Sequence, residues 1–527
     1  MGGPAVDTSS SGMQDYHKFI DPSKKWYKNS RLVKLNLWIF LLLITSMANG
    51  YDGSMMNGLQ LLEQWESAFD YPDGSKLGLL GAIQNIGSLG SLPFAPYMCD
   101  GLGRKWTIFI GAVIVVGGAV LQAAAQNVEM FIGARFLLGF GLGFCTAGAP
   151  MLVSEIAYPT QRAPLSSVYN ALWPGGAFVA SWITFGTFHI KNSWSWRIPS
   201  ALQGAPSLLQ IFLILLCPES PRWLVSKGRE TEALKCLAYY HADGNEQDPL
   251  VLFEFEEIKT TLAHEALQKQ TGWLQLFRTP GNRRRMRILV AIAFFSQWSG
   301  NGLVSYYLNK VFDTIGITDP VEQLLINAFL NMWSLILAVL GGMYCDKFGR
   351  RPIFLTSTAG MLIFFTLQTV CSSQYALHGN KAAGHAVVAM IFLYSAAYAI
   401  AWSPLITSYT LEILPFNLRA KGFTVFAFSV SASLVFNQYI NPLALKAIGW
   451  KYYIVYCVWI AFELVFVYFF LIETKNRTLE ETSLLFDGVH AVADVSNQAA
   501  HAIEHEPSTP NEKHSGSVHE VNVLEKA

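Results

Sequence analysis

The sequence predicts an all-α integral membrane protein with twelve transmembrane helices in two pseudo-symmetric six-helix bundles. Three observations predict this fold class: an apolar composition, twelve apolar segments of helical length, and charged motifs that recur in both halves. Of the 527 residues, 52% are hydrophobic and 14% are charged, against roughly 25% charged residues in soluble domains. This composition indicates a chain that lies mostly within a bilayer.

Crossing the apolar part of a bilayer as a helix takes about 20 residues. Runs of this kind fall at residues 35–58, 77–98, 106–126, 128–149, 165–188, 198–217, 286–308, 323–344, 353–373, 384–409, 423–443 and 450–472. Their even number puts both termini on one side. If that side is the cytoplasm, 29 of the 37 Lys and Arg residues lie on it and 7 lie in the outer loops. The positive-inside rule therefore predicts cytoplasmic termini.

The spans divide the chain into five expected parts. These are an N-terminal tail at 1–34, a first bundle at 35–217, a cytoplasmic linker with short helices at 218–285, a second bundle at 286–472 and a C-terminal tail at 473–527. The seven cysteines are scattered without CxxC spacing, which indicates neither a disulfide framework nor a metal site.

Charged motifs at the inner ends of the spans recur in the second half. Glu155 and Arg162 are seven residues apart after the fourth span, and Glu412 and Arg419 repeat that spacing after the tenth. Similar motifs follow spans two and eight, and spans six and twelve. The candidate gate residues are Asp100, Arg104, Glu155, Arg162, Glu219, Arg222, Asp346, Arg350, Glu412, Arg419 and Glu473.

Many transporters are built from two such repeats that rock about a site between them. We therefore expect the repeated charges to pair when the inner side is closed and to separate when it opens. The alternative is that they only fix the topology of the helix ends. That alternative explains the basic residues but not the matched acidic ones.

The ordered motifs resemble the sugar porter branch of the major facilitator superfamily over residues 35–482. Besides the gate motifs, the resemblance is carried by Gly50-Tyr51-Asp52, by the run from Pro218 to Leu224, and by Glu473-Thr474-Lys475. The run from Phe295 to Asn301 is similar to fungal lactose permeases and cellodextrin transporters. The resemblance implies the major facilitator fold, sugar transport by alternating access and a plasma-membrane location.

Three ionisable residues stand out deep inside predicted spans, where a charge is costly and indicates function. Asp52 and Arg135 lie at similar depths below the outer ends of the first and fourth spans, so we expect an ion pair. The family's proton symporters carry the same two residue types, so the resemblance implies proton coupling. A static pair in a facilitator is the alternative. Glu463 in the last span is a third coupling candidate, or a structural residue paired with a nearby Tyr or Ser.

The hydroxyls of a sugar both donate and accept hydrogen bonds, and side-chain amides can do the same. By position in the family pattern, we expect a sugar site in the spans that line the central cavity. The candidates are Asn170, Ser296, Gln297, Asn301, Asn331, Trp402, Thr407, Asn437 and Gln438. Where hexose carriers have larger side chains, Asn170, Ser296 and Thr407 leave room for a second sugar ring, as in lactose or cellobiose. The alternative for each candidate is a hydrogen bond between helices.

The sequence shows no nucleotide-binding loop, metal-ligand cluster or nucleophile motif, so we expect neither an enzyme nor an ATP-driven pump. We expect no metal and no cofactor except the coupling proton. The expected partners are a sugar and the lipid bilayer, without nucleic acid or an obligate protein partner. A monosaccharide carrier, a facilitator, an organic acid carrier and a sugar sensor that does not transport stay open.

Overall fold

The computed structural model describes residues 26–268, 273–414, 418–475 and 485–486. Among the predicted site residues, the side chains of Asn170, Asp346 and Arg419 lie outside this description. Its α-helices, numbered in chain order, are α1 Ser30–Leu59, α2 Glu63–Ala68, α3 Ser75–Ser91, α4 Ala95–Gly101, α5 Arg104–Ala123, α6 Val128–Ile156, α7 Pro159–Ala171, α8 Trp173–Thr187, α9 Trp194–Leu202, α10 Ala205–Leu213, α11 Pro221–Ser226, α12 Glu230–His241, α13 Pro249–Gln268, α14 Gln275–Arg278, α15 Pro280–Gln297, α16 Asn301–Tyr306, α17 Leu308–Asp313, α18 Pro320–Phe348, α19 Arg350–His378, α20 Lys381–Ala401, α21 Leu405–Ile413, α22 Arg419–Ile448 and α23 Tyr452–Phe470.

The helices account for the twelve predicted spans. Nine helical stretches of the described residues are long and apolar enough to cross a membrane, and the last of these, Lys421–Phe470, contains both α22 and α23. The second and fifth spans are each divided into two helices, α3 with α4 and α7 with α8. The predicted all-α membrane fold is therefore confirmed.

Two spans are interrupted near their middle by residues unsuited to a helix. The seventh span breaks between α15 and α16, where Gly300 has a φ of 100°. A side chain there would be strained and would lie against the Phe365 ring, so this position favours glycine. The tenth span breaks between α20 and α21 in the turn that contains Pro404, where a proline cannot donate a helical hydrogen bond.

The helices pack as two sets, with α1 to α10 in the N-terminal half and α15 to α23 in the C-terminal half. Within the halves, α5 packs on α6, α1 on α8, α19 on α20 and α15 on α22. The halves meet where α3 packs on α22, α8 on α18, and α1 on α16. We call the end that holds the start of α1, the linker helices α11 to α14 and Glu473 the tail end, and the opposite end the far end.

Candidate functional site

Hydrogen bonds close the two halves against each other at the far end. Asn57 in α1 accepts a bond from the backbone N–H of Leu308 at 3.0 Å and donates to the carbonyl of Ser305 at 3.1 Å. One turn further, Gln60 donates to the carbonyl of Tyr306 and accepts from Asn309. These buried amides bind the backbone of the seventh span directly after its break. We call the bonds from Asn57 and Gln60 to that segment the far-end seal.

A second set of contacts closes the far end between α3 and α22. Asn85 of α3 donates to the Gln438 side chain of α22 at 2.8 Å. Tyr307, from the same half as Gln438, donates to the Gln438 carbonyl at 2.7 Å. In the loop before α3, Asp73 forms an ion pair with Lys446 at 2.7 Å. Although partial burial alone would raise the pKa of Asp73, bonds from Lys446 and from the Gly74 amide lower it below its usual value. This side chain is therefore an anion at neutral pH.

Behind the far-end contacts, Asp52 and Arg135 form the buried pair that their depth predicts. Asp52 Oδ1 lies 3.3 Å from Arg135 Nη1 and accepts a hydrogen bond from Gln203 Nε2 at 2.5 Å. The guanidinium also donates to the Leu80 carbonyl at 2.8 Å and to Gln84 at 3.4 Å. Both charged side chains are fully buried. Desolvation offsets much of the attraction in such a pair, so stability alone gives little reason to keep it.

The two oxygens of the Asp52 carboxyl group have different surroundings. Oδ1 accepts the bonds from Arg135 and Gln203, whereas Oδ2 is buried and has no hydrogen-bond partner among the described residues. Leaving a buried carboxylate oxygen unpaired is costly. A proton on Oδ2 would remove that cost without disturbing the bonds to Oδ1.

A small internal cavity joins the buried pair to the far-end contacts. Its walls come from both halves, because Gln84 and Arg135 face Tyr306, Tyr307 and Gln438 across it. The Tyr306 ring lies against the backbone of Gly53, and the Tyr307 hydroxyl lies against Gly81. Separation of the far end would therefore uncover Arg135.

Several predicted sugar-site residues meet at the break of the seventh span. Gln297 donates to the Ser296 hydroxyl at 3.1 Å, and Asn301 donates to the Ser296 carbonyl and the Tyr398 hydroxyl. Gln297 and Asn301 are half-buried. Asn301 Oδ1 has no hydrogen-bond partner among the described residues. This group of amides and hydroxyls can donate to and accept from a polyhydroxyl ligand.

The remaining described candidates are already bonded or packed, and of these only Asn437 lies at the break of the seventh span. Asn331 bridges the halves by donating to Ser181 at 2.9 Å. Asn437 is fully buried, donates to the Gln297 carbonyl at 2.6 Å and accepts from Tyr456.

Trp402 is fully buried and donates to the Thr358 hydroxyl at 3.2 Å, so it packs inside the C-terminal half in this state. Gln438 lines the cavity beside Arg135 rather than the break of the seventh span. Thr407 is half-buried in α21. The predicted sugar contacts of these three residues stay predictions.

Glu463 lies in the middle of α23 with no exposed surface. Neither of its carboxyl oxygens has a well-aligned hydrogen-bond partner among the described residues, although the Trp459 side chain one turn earlier is close enough to interact with the carboxyl group. The expected alternative, a structural pairing with a nearby Tyr or Ser, is therefore not seen in the described part of the chain. The Phe295 ring of α15 packs against Trp459 and Phe466 of the same helix face.

At the tail end, the repeated motifs form matching structures in the two halves. Gly103 and Gly349 both have a positive φ and both precede a long helix. Glu219 accepts bonds from the Lys105 and Ser220 amides, and Glu473 accepts from the first amides of α19 at 2.9 and 3.0 Å. A carboxylate at a helix N-terminus satisfies free amides and is favoured by the helix dipole. Burial raises the pKa of Glu219, although the amides of Ser220 and Lys105 oppose the rise.

Two of the described gate arginines, Arg104 and Arg350, pair with acidic residues of their own half. Arg104 lies 3.0 Å from Glu155 and also contacts Asp100, while Arg350 lies 3.1 Å from Glu412. These contacts join helices within one bundle. The expected separation of these charges when the inner side opens stays a prediction.

Arg162 pairs instead with the linker. It lies 3.1 Å from Glu254 of α13, and the same carboxylate lies 2.6 Å from His241 Nδ1. The other ring nitrogen of His241 faces the Ile156 carbonyl at 3.3 Å. Burial by itself would raise the pKa of Glu254, but His241 and Arg162 together hold it below its usual value. These contacts attach the linker to the N-terminal half.

Arg222, the last of the described gate candidates, belongs to the same tail-end surface. It lies in α11, close enough to Glu257 of α13 to lower that carboxyl's pKa. Burial is the larger effect, and the pKa of Glu257 is raised overall.

Comparison with known proteins identifies the family. The family described as "Sugar (and other) transporter" matches residues 38–486. The chain belongs to this sugar porter family of the major facilitator superfamily. It is therefore a membrane transporter of the sugar porter type and not an enzyme, as the resemblance implied.

The similarity covers nearly all of the chain. It is 32% identical to the MFS-type transporter oryC of Aspergillus oryzae, over 85% of this chain and 84% of that protein. It is 30% identical to a high-affinity glucose transporter of Kluyveromyces lactis, over 84% and 83%. The proton:xylose symporter XylE of E. coli, bound to 6-bromo-6-deoxy-D-glucose, superposes with a TM-score of 0.70 at 25% identity, covering 86% of this chain and all of that chain.

Sequence reasoning missed several residues that complete this sugar porter's site. Gln203 and Gln84, the amide partners of the buried pair, are polar residues inside apolar helices and could have been noticed on that ground. Asn57 and Gln60 gave the same signal near the outer end of the first span. Tyr394 and Tyr398 gave no such signal in the sequence, because buried tyrosines are common in apolar helices.

Proposed function

We propose that this sugar porter moves a sugar together with a proton into the cell by alternating access. The observation that carries the proposal is the state of Asp52. Its Oδ1 is bonded to Arg135 and Gln203, its Oδ2 has no partner among the described residues, and the whole side chain is buried. Arg135 favours the ionised form of this carboxyl group while it stays close, and burial favours the protonated form when Arg135 moves away.

The membrane orientation follows from the basic residues. With the tail end in the cytoplasm, the tails, the linker and the inner loops hold most of the Lys and Arg residues, as the positive-inside rule requires. We assign the far end to the outside and the membrane to the plasma membrane. In this assignment the structure is closed to the outside.

The transport cycle uses the contacts at the two ends in turn. Opening to the outside breaks the far-end seal and exposes the cavity beside Arg135, so a proton can reach Asp52. At the tail end, Arg104 and Arg350 then exchange their partners Glu155 and Glu412 for acidic residues of the other bundle. The tail-end charges thus stabilise the outward-open state and the far-end amides stabilise the inward-open state.

Asp52→Asn tests the coupling. The amide mimics the protonated carboxyl group, so uphill sugar accumulation and alkalinisation of the medium on sugar addition should both be lost. Exchange of sugar down its gradient should persist, because the amides at the break of the seventh span are unchanged. Sugar and pH are recorded together in vesicles with an imposed pH gradient. Uphill accumulation by well-expressed Asp52→Asn would refute the role of Asp52, and a wild type that never accumulates sugar would be a facilitator.

Two substrate sizes are each favoured by one observation. Ser296 and Thr407 are small where larger residues would narrow the site, which favours a disaccharide of the lactose or cellobiose type. The names of relatives such as the glucose transporter of Kluyveromyces lactis favour a hexose. Competition of labelled-sugar uptake by lactose, cellobiose, glucose and xylose discriminates the two, and lack of any uptake would indicate a sensor.

The size argument has its own test in Thr407→Trp. The larger side chain should reduce disaccharide transport more than hexose transport, because only the second ring needs the space beside Thr407. Equal losses for both sugars would remove Thr407 from the size argument. Thr410→Val in the same helix is the control, because Thr410 is fully buried and donates to the carbonyl of Ile406.

A further inference from the structure

A basic and apolar surface at the tail end takes no part in the cycle above. It lies in the C-terminal half, where α14 leads into α15, the first helix of the seventh span. Three of its large apolar side chains are more than half exposed. Three arginine side chains beside them are exposed as well. We call this surface the tail-end patch, and its members are Trp273, Leu274, Phe277, Arg278, Arg283 and Arg287.

The turn between α14 and α15 fixes the outward direction of the apolar side chains. Leu276 of α14 is buried in the core of the C-terminal half, so that side of the short helix faces the protein. The Asn282 side chain donates to the Gln275 carbonyl at 2.9 Å, and the Asn282 amide donates to the Thr279 hydroxyl that caps α15. These bonds tie the two helices together. The exposed side chains around α14 are therefore held in place by the fold.

The patch lies at the surface of the membrane. Residues 288–297 of α15 carry no charge and enter the bilayer as part of the seventh span, so the first turns of α15 lie where lipid headgroups meet the hydrocarbon. Lys421 of α22 adds a further cation at this level, because its ammonium group lies 5.8 Å from the centre of the Trp273 ring. Apolar side chains at such a boundary enter the lipid, whereas basic side chains reach the headgroups.

The charge of the patch is not balanced by nearby acidic residues in the sequence. No Asp or Glu lies between Glu265 and Asp313. Among the described residues, none of the patch arginines forms an ion pair. Arg283 and Arg287 are four residues apart and therefore share one face of α15. Two guanidinium groups at this spacing can hold one phosphate group, which arginine binds through paired hydrogen bonds.

Neither topology nor packing explains this surface. Basic residues at a cytoplasmic helix end follow the positive-inside rule, but that rule does not require exposed apolar side chains beside them. The apolar side chains add little to the core either, since Leu276 is the one buried residue of 273–280. Cations and apolar side chains that meet at the membrane boundary match a lipid with an anionic headgroup in both charge and polarity.

We propose that the tail-end patch binds an anionic phospholipid of the cytoplasmic leaflet. The patch arginines bond to the phosphate and to the other anionic groups of the headgroup, while Trp273, Leu274 and Phe277 pack on the upper part of the acyl chains. The bound lipid fixes the inner end of the seventh span at the membrane surface. The choice of leaflet rests on the orientation proposed above, whereas the binding itself requires neither sugar transport nor proton coupling.

The test locates the lipid on the chain. The purified full-length protein is placed in phosphatidylcholine nanodiscs that contain a small amount of either phosphatidylserine or phosphatidylcholine with a photoreactive acyl chain. After illumination and digestion, mass spectrometry measures the cross-links on residues 273–290. We expect phosphatidylserine to label this segment at least about threefold more than phosphatidylcholine. About 1 M salt should remove the preference, because the charges are exposed.

Two variants separate the charged and the apolar parts of the patch. Replacing Arg278, Arg283 and Arg287 together by Gln should lower phosphatidylserine labelling to the phosphatidylcholine level. Leu274→Ser combined with Phe277→Ser should lower labelling by both lipids, because the acyl chains lose their packing surface.

A matched control removes the same amount of charge away from the patch. Lys227, Arg229 and Lys235 are exposed basic residues of the linker beside and within α12. Their joint replacement by Gln should leave the labelling of residues 273–290 unchanged.

Equal labelling by the two lipids in the wild type would overturn the proposal, as would a preference that survives the triple arginine variant. Displacement by water-soluble glycerophosphoserine at the same concentration as the lipid would also overturn it, because the ligand would then be a free anion. A preference seen only after removal of residues 487–527 would assign the patch to the chain's own acidic tail instead. If the triple variant does not fold, a preference that persists in about 1 M salt refutes the charge recognition.

Failure of the proposed function has a different signature. A wild type without uphill sugar accumulation would refute proton coupling and leave the labelling as expected. An inverted orientation would also leave the labelling unchanged, because both leaflets of the nanodisc contain the photoreactive lipid.

Discussion

Asn57→Leu removes the centre of the far-end seal while keeping a side chain of similar size. Asn57 accepts from the Leu308 amide at 3.0 Å and donates to the Ser305 carbonyl at 3.1 Å. The leucine would leave both groups without these bonds as long as the outside stays closed. An unpaired buried polar group costs about 1–3 kcal/mol, so we expect the closed state to lose about 2 kcal/mol. The ratio of outward-open to closed molecules should then rise roughly thirtyfold.

The shift can be measured with a cysteine at Leu77. This residue is buried in the closed state and lines the cavity behind the seal. A thiol reagent that cannot cross the membrane, added outside, should label Leu77→Cys at a rate that follows the outward-open fraction. The same protein without Leu77→Cys corrects for labelling of the native cysteines. Asn36→Leu controls for the effect of an Asn-to-Leu replacement in the same helix. Among the bonds observed, Asn36 bonds only to the Leu32 carbonyl of its own helix.

A labelling rate that rises less than about threefold would refute the seal as a determinant of the closed state. The reasoning would also fail if Asn36→Leu raised labelling as much as Asn57→Leu. In either case the contacts between α3 and α22 would have to hold the far end closed by themselves.

Two other predictions use the same membranes and the purified protein. Gly78→Val should also raise Leu77→Cys labelling, because a Cβ at Gly78 would lie 2.6 Å from the Tyr439 carbonyl oxygen. Gly90→Val is the control and should not raise labelling, because a Cβ at Gly90 would lie 3.8 Å from its nearest neighbour. Glu254→Gln should lower the unfolding temperature at neutral pH. The pKa of Glu254 is lowered in the folded state, so its carboxylate stabilises the folded protein at pH values above the usual titration range of a glutamate. The difference in unfolding temperature between Glu254→Gln and the wild type should therefore disappear as the pH falls through that lowered pKa.

The sequence predicted the span number and the buried pair for related physical reasons. Helical rise is constant, so counting residues from the outer surface places Asp52 and Arg135 at one depth, and the structure brings them to 3.3 Å. Hydropathy contains no information on how each helix is rotated about its axis. Gln203 could have been noticed as a polar residue within a span, but its orientation toward Asp52 and the burial of Trp402 against Thr358 could not be predicted.

The break in the seventh span was also beyond sequence reasoning. Ser299 and Gly300 lie within an apolar run that reads as one continuous span. In the structure, Tyr394 and Tyr398, about a hundred residues later in the chain, donate to the Ser299 and Ser296 carbonyls at this break. Partners so distant in sequence leave no local pattern that could predict the break. The matched motifs at Gly103 and Gly349, by contrast, are local in sequence and could be recognised from it.

The attachment of the linker has a practical consequence for observing transport in living cells. Besides Glu254 and His241, Asn29 holds Asp243 at 2.9 Å, so α12 and α13 of the linker travel with the N-terminal bundle. The turn at 245–247 is exposed and lies between those contacts along the chain. A fluorescent protein inserted there would report the position of one bundle, and a second fluorophore on the C-terminal tail would report the other. Energy transfer between them would then follow each turnover as a change in distance, with no need for a labelled substrate.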